Sequence, residues 1–345
     1  MVTVVVWSYS WRNSTDVDQC QKIPPTSPIR SPARATVDLW ARRTLINMTV
    51  PAEATRALRN AIARAEAERR RAERAGEIVE RHERQLLTDP SVLREFHRKM
   101  ATTHRQVQRQ HLAAVAMHVA HAQRLRVWID TPQRHHALPR FMASVADVAD
   151  ADSAALTLFG PGLVETLTAV SDSSAKTAQD LEFTLGEGPA RDTMTVRRMV
   201  QATGPAISQR WPHYGPAVER LGIISIATVP VELTGVLLGA LTLFGPHWYA
   251  ESNDLDNLRT VANTVAGMLL PTDESNETDG QGVRCALLEE ADDRAVVHQA
   301  TGMLSVQYGC TISDAFALIQ ARSFAEDRPI DSIATDIVEH TFRLE

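Results

Sequence analysis

Aromatic side chains make up only 5% of this 345-residue chain, so aromatic cages or base-stacking platforms are not a recurring feature of it. Cysteine is scarce too. Cys20, Cys285 and Cys310 share no metal-ligand spacing, and an odd number does not suit a secreted disulfide scaffold. No apolar run approaches the length that crosses a bilayer. The opening "MVTVVVWSYSW" has no basic residue before its apolar stretch and no clear cleavage site, so no signal peptide is expected. Catalytic signatures are missing as well: no H-E-x-x-H pair, Walker loop, dinucleotide fingerprint or serine elbow occurs. These absences lead us to expect a cytoplasmic, non-enzymatic protein with no membrane anchor and no resident metal or cofactor.

The net charge is -6, but it is unevenly placed. Residues 54–136 hold 17 Lys/Arg against 9 Asp/Glu, residues 137–283 hold 8 against 18, and residues 284–345 hold 5 against 11. The first segment is therefore the one best suited to a polyanion.

Five regions follow from composition and periodicity. Residues 1–47, with the Pro- and Ser-rich "QKIPPTSPIRSPA", have little to bury and are expected to be disordered, and Met48 offers a second start. Residues 53–130 are rich in Ala, Glu and Arg, broken at Pro90, and read as a basic helical hairpin or coiled-coil-like arm. Its apolar rows would be Leu93, Met100, Val107 and Ala114, then Phe96, Thr103, Gln110 and Met117. His97, His104, His111 and His118 also recur every seven residues; a solvated or flanking helix face is the first expectation, a metal- or pH-sensing stripe the second. Residues 137–270 alternate helix, strands, an irregular middle, two strands and a helix, an α+β pattern with a mainly antiparallel sheet. Residues 271–282, "PTDESNETDGQG", form a linker by composition.

Residues 284–345 read as three helices: about 284–308, ending at Gly309; one from the Thr311–Asp314 capping box to about Ala325; and one opened by Pro329. Val297, Ala300, Leu304 and Tyr308 share a face, as do Ala315, Leu318 and Ile319, and Ile333, Ala334, Ile337 and Val338. These faces would close one small core. Gly302 costs helix propensity and is expected to permit a close helix contact, with direct approach of RNA as the lesser option.

Two family resemblances enter here. "VHQATGMLSVQYGCTISDAFALIQARSFAEDRPIDSIATDIV" closely resembles the ANTAR domain, a small three-helix RNA-binding module of transcription antitermination regulators. The pieces "LGEGPARD", "WPHYGPAVERLGIISIATVPV" and "GVLLGALTLFG" resemble a GAF domain, a small-ligand or signal-sensing fold. Such a pairing recurs in actinobacterial regulators. The resemblance implies a multidomain chain: helical arm, α+β sensor with an antiparallel sheet, and all-α three-helix bundle.

It also implies a signal-responsive regulator, working as a homodimer, that binds hairpins in leader RNA and keeps transcription from terminating. The alternative is a signalling or dimerisation protein whose C-terminal bundle binds a protein partner. Candidate RNA-binding residues are Arg294, His298, Gln299, Thr301, Gln307, Arg322 and Arg328, the two last as phosphate contacts. The acidic balance of the module works against it as an RNA binder. Trp211, His213, Tyr214 and Glu187 are candidates to line a pocket for an unidentified small molecule, with "WPHYG" otherwise anchoring a loop to the sheet. Relatives often carry Cys where this chain has Ala190, so no redox or covalent role is expected there. The sensor region also has no cysteine to attach a tetrapyrrole.

Overall fold

The computed structural model describes residues 52–88, 90–131, 137–246, 252–269, 287, 292–326 and 328–339. The expectations for residues 1–47, Met48 and the 271–282 linker lie outside these.

Two long helices, α1 (Ala52–Thr88) and α2 (Ser91–Asp130), fold back on each other as a hairpin. Pro90 stands between them, with backbone angles that suit a helix entry but no interior position. The expected apolar rows hold only in part: Ala114 and Met117 are buried, but Leu93, Phe96 and Thr103 are exposed. Instead α1 offers Ala54, Ala61, Ala65, Ala72, Ala75 and Val79, all buried. Small alanines leave room for larger side chains from α2, and that room is filled partly by imidazoles.

Of the expected solvated or flanking histidine face, the solvated alternative is corrected. His97 and His118 are buried, His97 Nδ1 lies 2.9 Å from His82 Nδ1, and His111 Nδ1 lies 2.6 Å from a Glu68 carboxylate oxygen. No group of three or more His, Cys, Asp or Glu among the described residues is arranged to hold a metal ion.

The central domain follows. Helix α3 (Phe141–Val148) leads into β1 (Ala151–Gly160), then a 3-10 turn (Pro161–Leu163) and β2 (Val164–Val170). Next come α4 (Ser173–Leu185), α5 (Pro189–Val196), β3 (Val200–Thr203), α6 (Pro205–Arg210) and α7 (Tyr214–Glu219). β4 (Ser225–Leu233), β5 (Val236–Pro246) and α8 (Ser252–Met268) complete it. The β4–β5 hairpin turns at Thr234–Gly235, where φ is 49° and 83°. Two successive positive φ values match the twist of the flanking strands.

Sheet order is β3-β4-β5-β1-β2, all antiparallel, extended by a two-residue strand from the C-terminal segment, β6 (Asp292–Asp293). Side chains alternate between the two faces. Leu156, Val229, Val231, Leu241 and Leu243 point to a core shared with α3, α8 and Met117 of the arm. Ala155, Val170, Val200, Ile226 and Phe244 point to the opposite core, under α4, α6 and α7. The arm is thus packed into the first core, and Thr264 of α8 also donates to the carbonyl of Gln110.

Three helices, α9 (Ala295–Tyr308), α10 (Ile312–Glu326) and α11 (Ile330–Val338), make a third core. Two capping expectations hold in detail, while Pro329 stands just before α11 as its N-cap rather than within its first turn. Gly309 ends α9 at φ 61°, and Thr311 and Asp314 exchange backbone-to-side-chain bonds at 3.1 and 3.3 Å. Three expectations need correction. Helix α9 begins at Ala295, because residues 292–293 pair with Leu167 and Thr168 of β2 and spend their backbone bonds there. Tyr308 and Leu318 are exposed rather than in the core. And a Cβ built on Gly302 meets nothing within 4 Å, so this glycine does not serve close packing.

Candidate functional site

Asp172 caps α4 by accepting from the Ala175 N–H at 2.9 Å, and Gly186 ends the helix in the left-handed region at φ 67°. Between these caps, Ala175, Ala178, Gln179 and Glu182 recur at steps of three, one and three, and all are buried against the sheet. Two of these core-facing positions are therefore polar. Both are hydrogen-bonded. Thr157 of β1 donates to the Gln179 side-chain oxygen Oε1, Gln179 Nε2 lies 3.4 Å from Glu182, and the Arg191 backbone N–H donates to Glu182 at 2.8 Å. Burial, with the nearby Glu165 adding to it, pushes the Glu182 carboxyl up to about 8.

Glu165 of β2 is the second buried acid. One oxygen takes a bond from Arg191 Nη2 at 3.4 Å, and the other has no partner among the described residues. Burial raises its pKa to about 7, against the pull of Arg191 and Arg294. Thr168, Thr228 and Thr242 add buried hydroxyls on the same sheet face, the last two 3.2 Å apart. A polar layer therefore lies inside the central domain.

The structure separates the four residues expected to line a pocket. Tyr214 is fully buried and its hydroxyl has no partner among the described residues; burial, with Glu182 adding to it, lifts its pKa well above the ordinary value. Trp211 is buried edge-on to Tyr214, with ring centroids 6.0 Å apart, and its Nε1 donates to Asp192 at 3.2 Å. Glu187 accepts from the backbone N–H groups of His213 and Tyr214 at 2.6 and 2.8 Å, which closes the start of α7. His213 is exposed. "WPHYG" thus anchors its loop through Glu187 and Asp192 and also sends Tyr214 into the interior. Gln179, Glu182, Glu165 and Arg191 were not singled out from the sequence. The helical spacing of 175, 178, 179 and 182 was the available signal.

The C-terminal candidates are also divided. Arg294 has no exposed surface: its Nη2 donates to Asp180 of α4 at 2.7 Å, its Nη1 reaches both oxygens of Asp331 at 3.2 Å, and its guanidinium lies 4.5 Å over the Phe183 ring. Burial opposes its charge, but Asp180, Asp331 and Glu165 more than offset this and move its pKa up. His298 Nε2 lies 2.7 Å from the Glu165 carbonyl oxygen. Thr301 points inward and donates to the Val297 carbonyl. Arg322 is paired with Glu326, and Arg328 with Glu326, Asp336 and Ser332. Gln299 and Gln307 are exposed on α9.

Residues 133–269 match the GAF domain family, and residues 286–338 match the ANTAR domain family. Neither is a catalytic domain, and the pairing marks a signal-responsive regulator. No curated protein matches the chain. Solved structures similar to it include a domain described as a two-component sensor histidine kinase protein from Sinorhizobium meliloti 1021, at 14% identity. Another is the third GAF domain of a Synechocystis protein in its photoproduct state, at 15% identity. Each covers 36% of this chain, and 83% and 85% of the other chain respectively, with a TM-score of 0.28. No helix among the described residues is long and apolar enough to cross a membrane.

Proposed function

We propose that this chain, a GAF sensor domain joined to an ANTAR domain, is a regulator that binds hairpins in leader RNA and promotes transcription antitermination in response to a signal in the sensor. The observation that carries this reading is the ANTAR match at 286–338, laid over a capped three-helix bundle with its own core. Its acting form is a homodimer, and its signal is a small molecule or a partner.

One stretch of α9 suits contact with RNA. Gln299, Gly302, Val306 and Gln307 fall at helical spacing on the outer side, and Gly302 leaves open space. Two amides that donate and accept, set around a residue with no side chain, suit close contact with loop bases whose edges are exposed. Holding one hairpin would prevent a competing terminator hairpin from forming. Arg322 and Arg328 would add phosphate contacts once freed from their carboxylate partners.

The test is cross-linking of the tagged protein to RNA in its own cells, with sequencing of what is bound. Enrichment of leader hairpins beside terminators supports the reading. Enrichment no greater than that of a chain ending at residue 283 would defeat it.

A second reading has its own observation. Helix α10 exposes Ala317, Leu318, Ala321, Phe324 and Ala325 along one face, with Phe324 75% exposed. An apolar face of this kind suits a protein partner rather than an anion. Concentration-dependent assembly without RNA affinity would favour it.

A further inference from the structure

Helix α4 has two working faces. Gln179 and Glu182 point into the polar layer of the sensor, where they meet Thr157 and the Arg191 N–H. The residues next to them in sequence, Asp180 and Phe183, point to the C-terminal bundle. Phe183 joins the bundle's core, its ring lies 5.1 Å from that of Phe316, and its carbonyl accepts from Gln320 Nε2 at 2.7 Å. Strand β2 repeats this arrangement. The Glu165 side chain meets Arg191 inside the sensor, while its backbone carbonyl meets His298 of α9. β6 then adds to the same strand edge, and the Arg294 N–H lies 3.4 Å from the Thr166 carbonyl.

Among the described residues the bundle meets α4 and β2 through Phe183 and a set of specific polar contacts, Lys176–Asp331 among them, while Leu287, ahead of it in sequence, is buried in the sensor's first core. Arg294 is central to them. A buried ion pair adds little net stability but demands a particular geometry, because desolvation offsets much of the Coulomb gain. That is suitable for a contact that opens. What it covers is the one end of α9 that carries a cation and an imidazole.

We propose that the docking of the bundle on α4 and β2 is an autoinhibitory latch, which withholds Arg294 and His298 from RNA until a change inside the sensor moves α4. The proposal rests on the RNA-binding reading above. Its coupling route is short: a ligand that competes for Glu182, Arg191 or the Tyr214 hydroxyl acts on the inner face of the helix whose outer face holds Arg294. Such a ligand shifts the equilibrium only to the extent that it binds the open form more tightly.

The test compares the full chain with Asp180→Arg, which opposes Arg294 with a like charge and leaves every ANTAR residue intact. Compactness is read by small-angle scattering. Affinity is read by filter binding to a pool of short RNA hairpins with randomised loops. The expected result is an expanded particle with RNA affinity raised roughly 5- to 150-fold, the usual range of such couplings. An expanded particle whose affinity matches the parent's overturns the latch and leaves RNA binding standing. A particle that stays compact overturns the role of this ion pair. No RNA binding by parent or variant overturns the latch together with the reading beneath it. If Asp180→Arg does not fold, judged by circular dichroism, Asp180→Asn removes the charge at constant size and is held to the same outcomes, with a smaller rise in affinity.

Discussion

Arg294 and Asp180 are 114 residues apart in sequence and 2.7 Å apart in space, and through them one guanidinium joins the C-terminal bundle to a helix of the sensor. The same guanidinium is bonded to Asp331 at the start of α11, so it serves the bundle's own fold as well. Asp331→Ala should lower the stability of the bundle by about 2 kcal/mol, the scale of a lost hydrogen bond to a charged group. Urea unfolding followed by circular dichroism would measure it.

Gly302 lies within α9 with nothing near its missing side chain. Gly302→Ala should therefore stabilise the fold by roughly 0.5–1 kcal/mol through helix propensity. If the open space is where RNA approaches, the same variant should bind hairpins at least several-fold more weakly. A thermal melt and a binding titration on one preparation read both. A destabilised variant would mean that the space is filled.

Tyr214 carries a buried hydroxyl with no partner among the described residues. Removing an unsatisfied buried polar group relieves a cost of about 1–3 kcal/mol. Tyr214→Phe should thus raise the melting temperature. A lower melting temperature would show that the hydroxyl is bonded to a water or ligand in solution, and would place that molecule in the polar layer.

Stability against pH should show a plateau with two limbs. Glu165 and Glu182 have folded pKa values raised to about 7 and about 8 from 4.5. Their contribution is complete below 4.5 and is lost as pH rises to about 8. His118 and His121 are lowered by burial from 6.5 to about 4, with Arg64 and His121 adding to the effect at His118, and Arg124 and Arg64 at His121. Their contribution is complete above 6.5 and is lost as pH falls to about 4. The two effects oppose each other between 4.5 and 6.5, so these four groups give a flat optimum there. Above 6.5 stability should fall by about 1 kcal/mol per pH unit. Glu182→Gln should flatten that alkaline limb, and His118→Leu the acid one, in urea midpoints measured from pH 4 to 9.

Gly239 of β5 lies so close to β1 that an added Cβ would sit 2.1 Å from the Thr157 carbonyl oxygen. Backbone cannot give way as a side-chain tip does. Gly239→Ala should cost several kcal/mol, or about as much as the worst core substitutions, and should leave little soluble protein.

Much of the architecture was readable because it is local. Alanine-rich runs broken at Pro90, two successive strands before the last sensor helix, Gly309 after α9 and the Thr311–Asp314 box each act within a few residues, and each is found. The arm seam is legible only in part, since Ala114 and Met117 of the expected rows are buried and Leu93 and Phe96 are not. The rest of the seam sets buried alanines of α1 beside polar pairs that cross between the helices, His82 with His97 and Glu68 with His111, and such pairs exist only once the two helices meet.

The candidate residues divide in the same manner. Composition, capping and the family motifs alone determined that this chain has a helical arm, an antiparallel sensor sheet and a three-helix C-terminal module. Only the tertiary structure decided that Arg294 and His298 face the sensor, that Glu182 and Tyr214 are sealed inside it, and that Gly302 faces open space. Helix and turn signals depend on neighbours in sequence. The burial of a charge depends on which surface covers it, and here that surface is contributed by residues more than a hundred positions away.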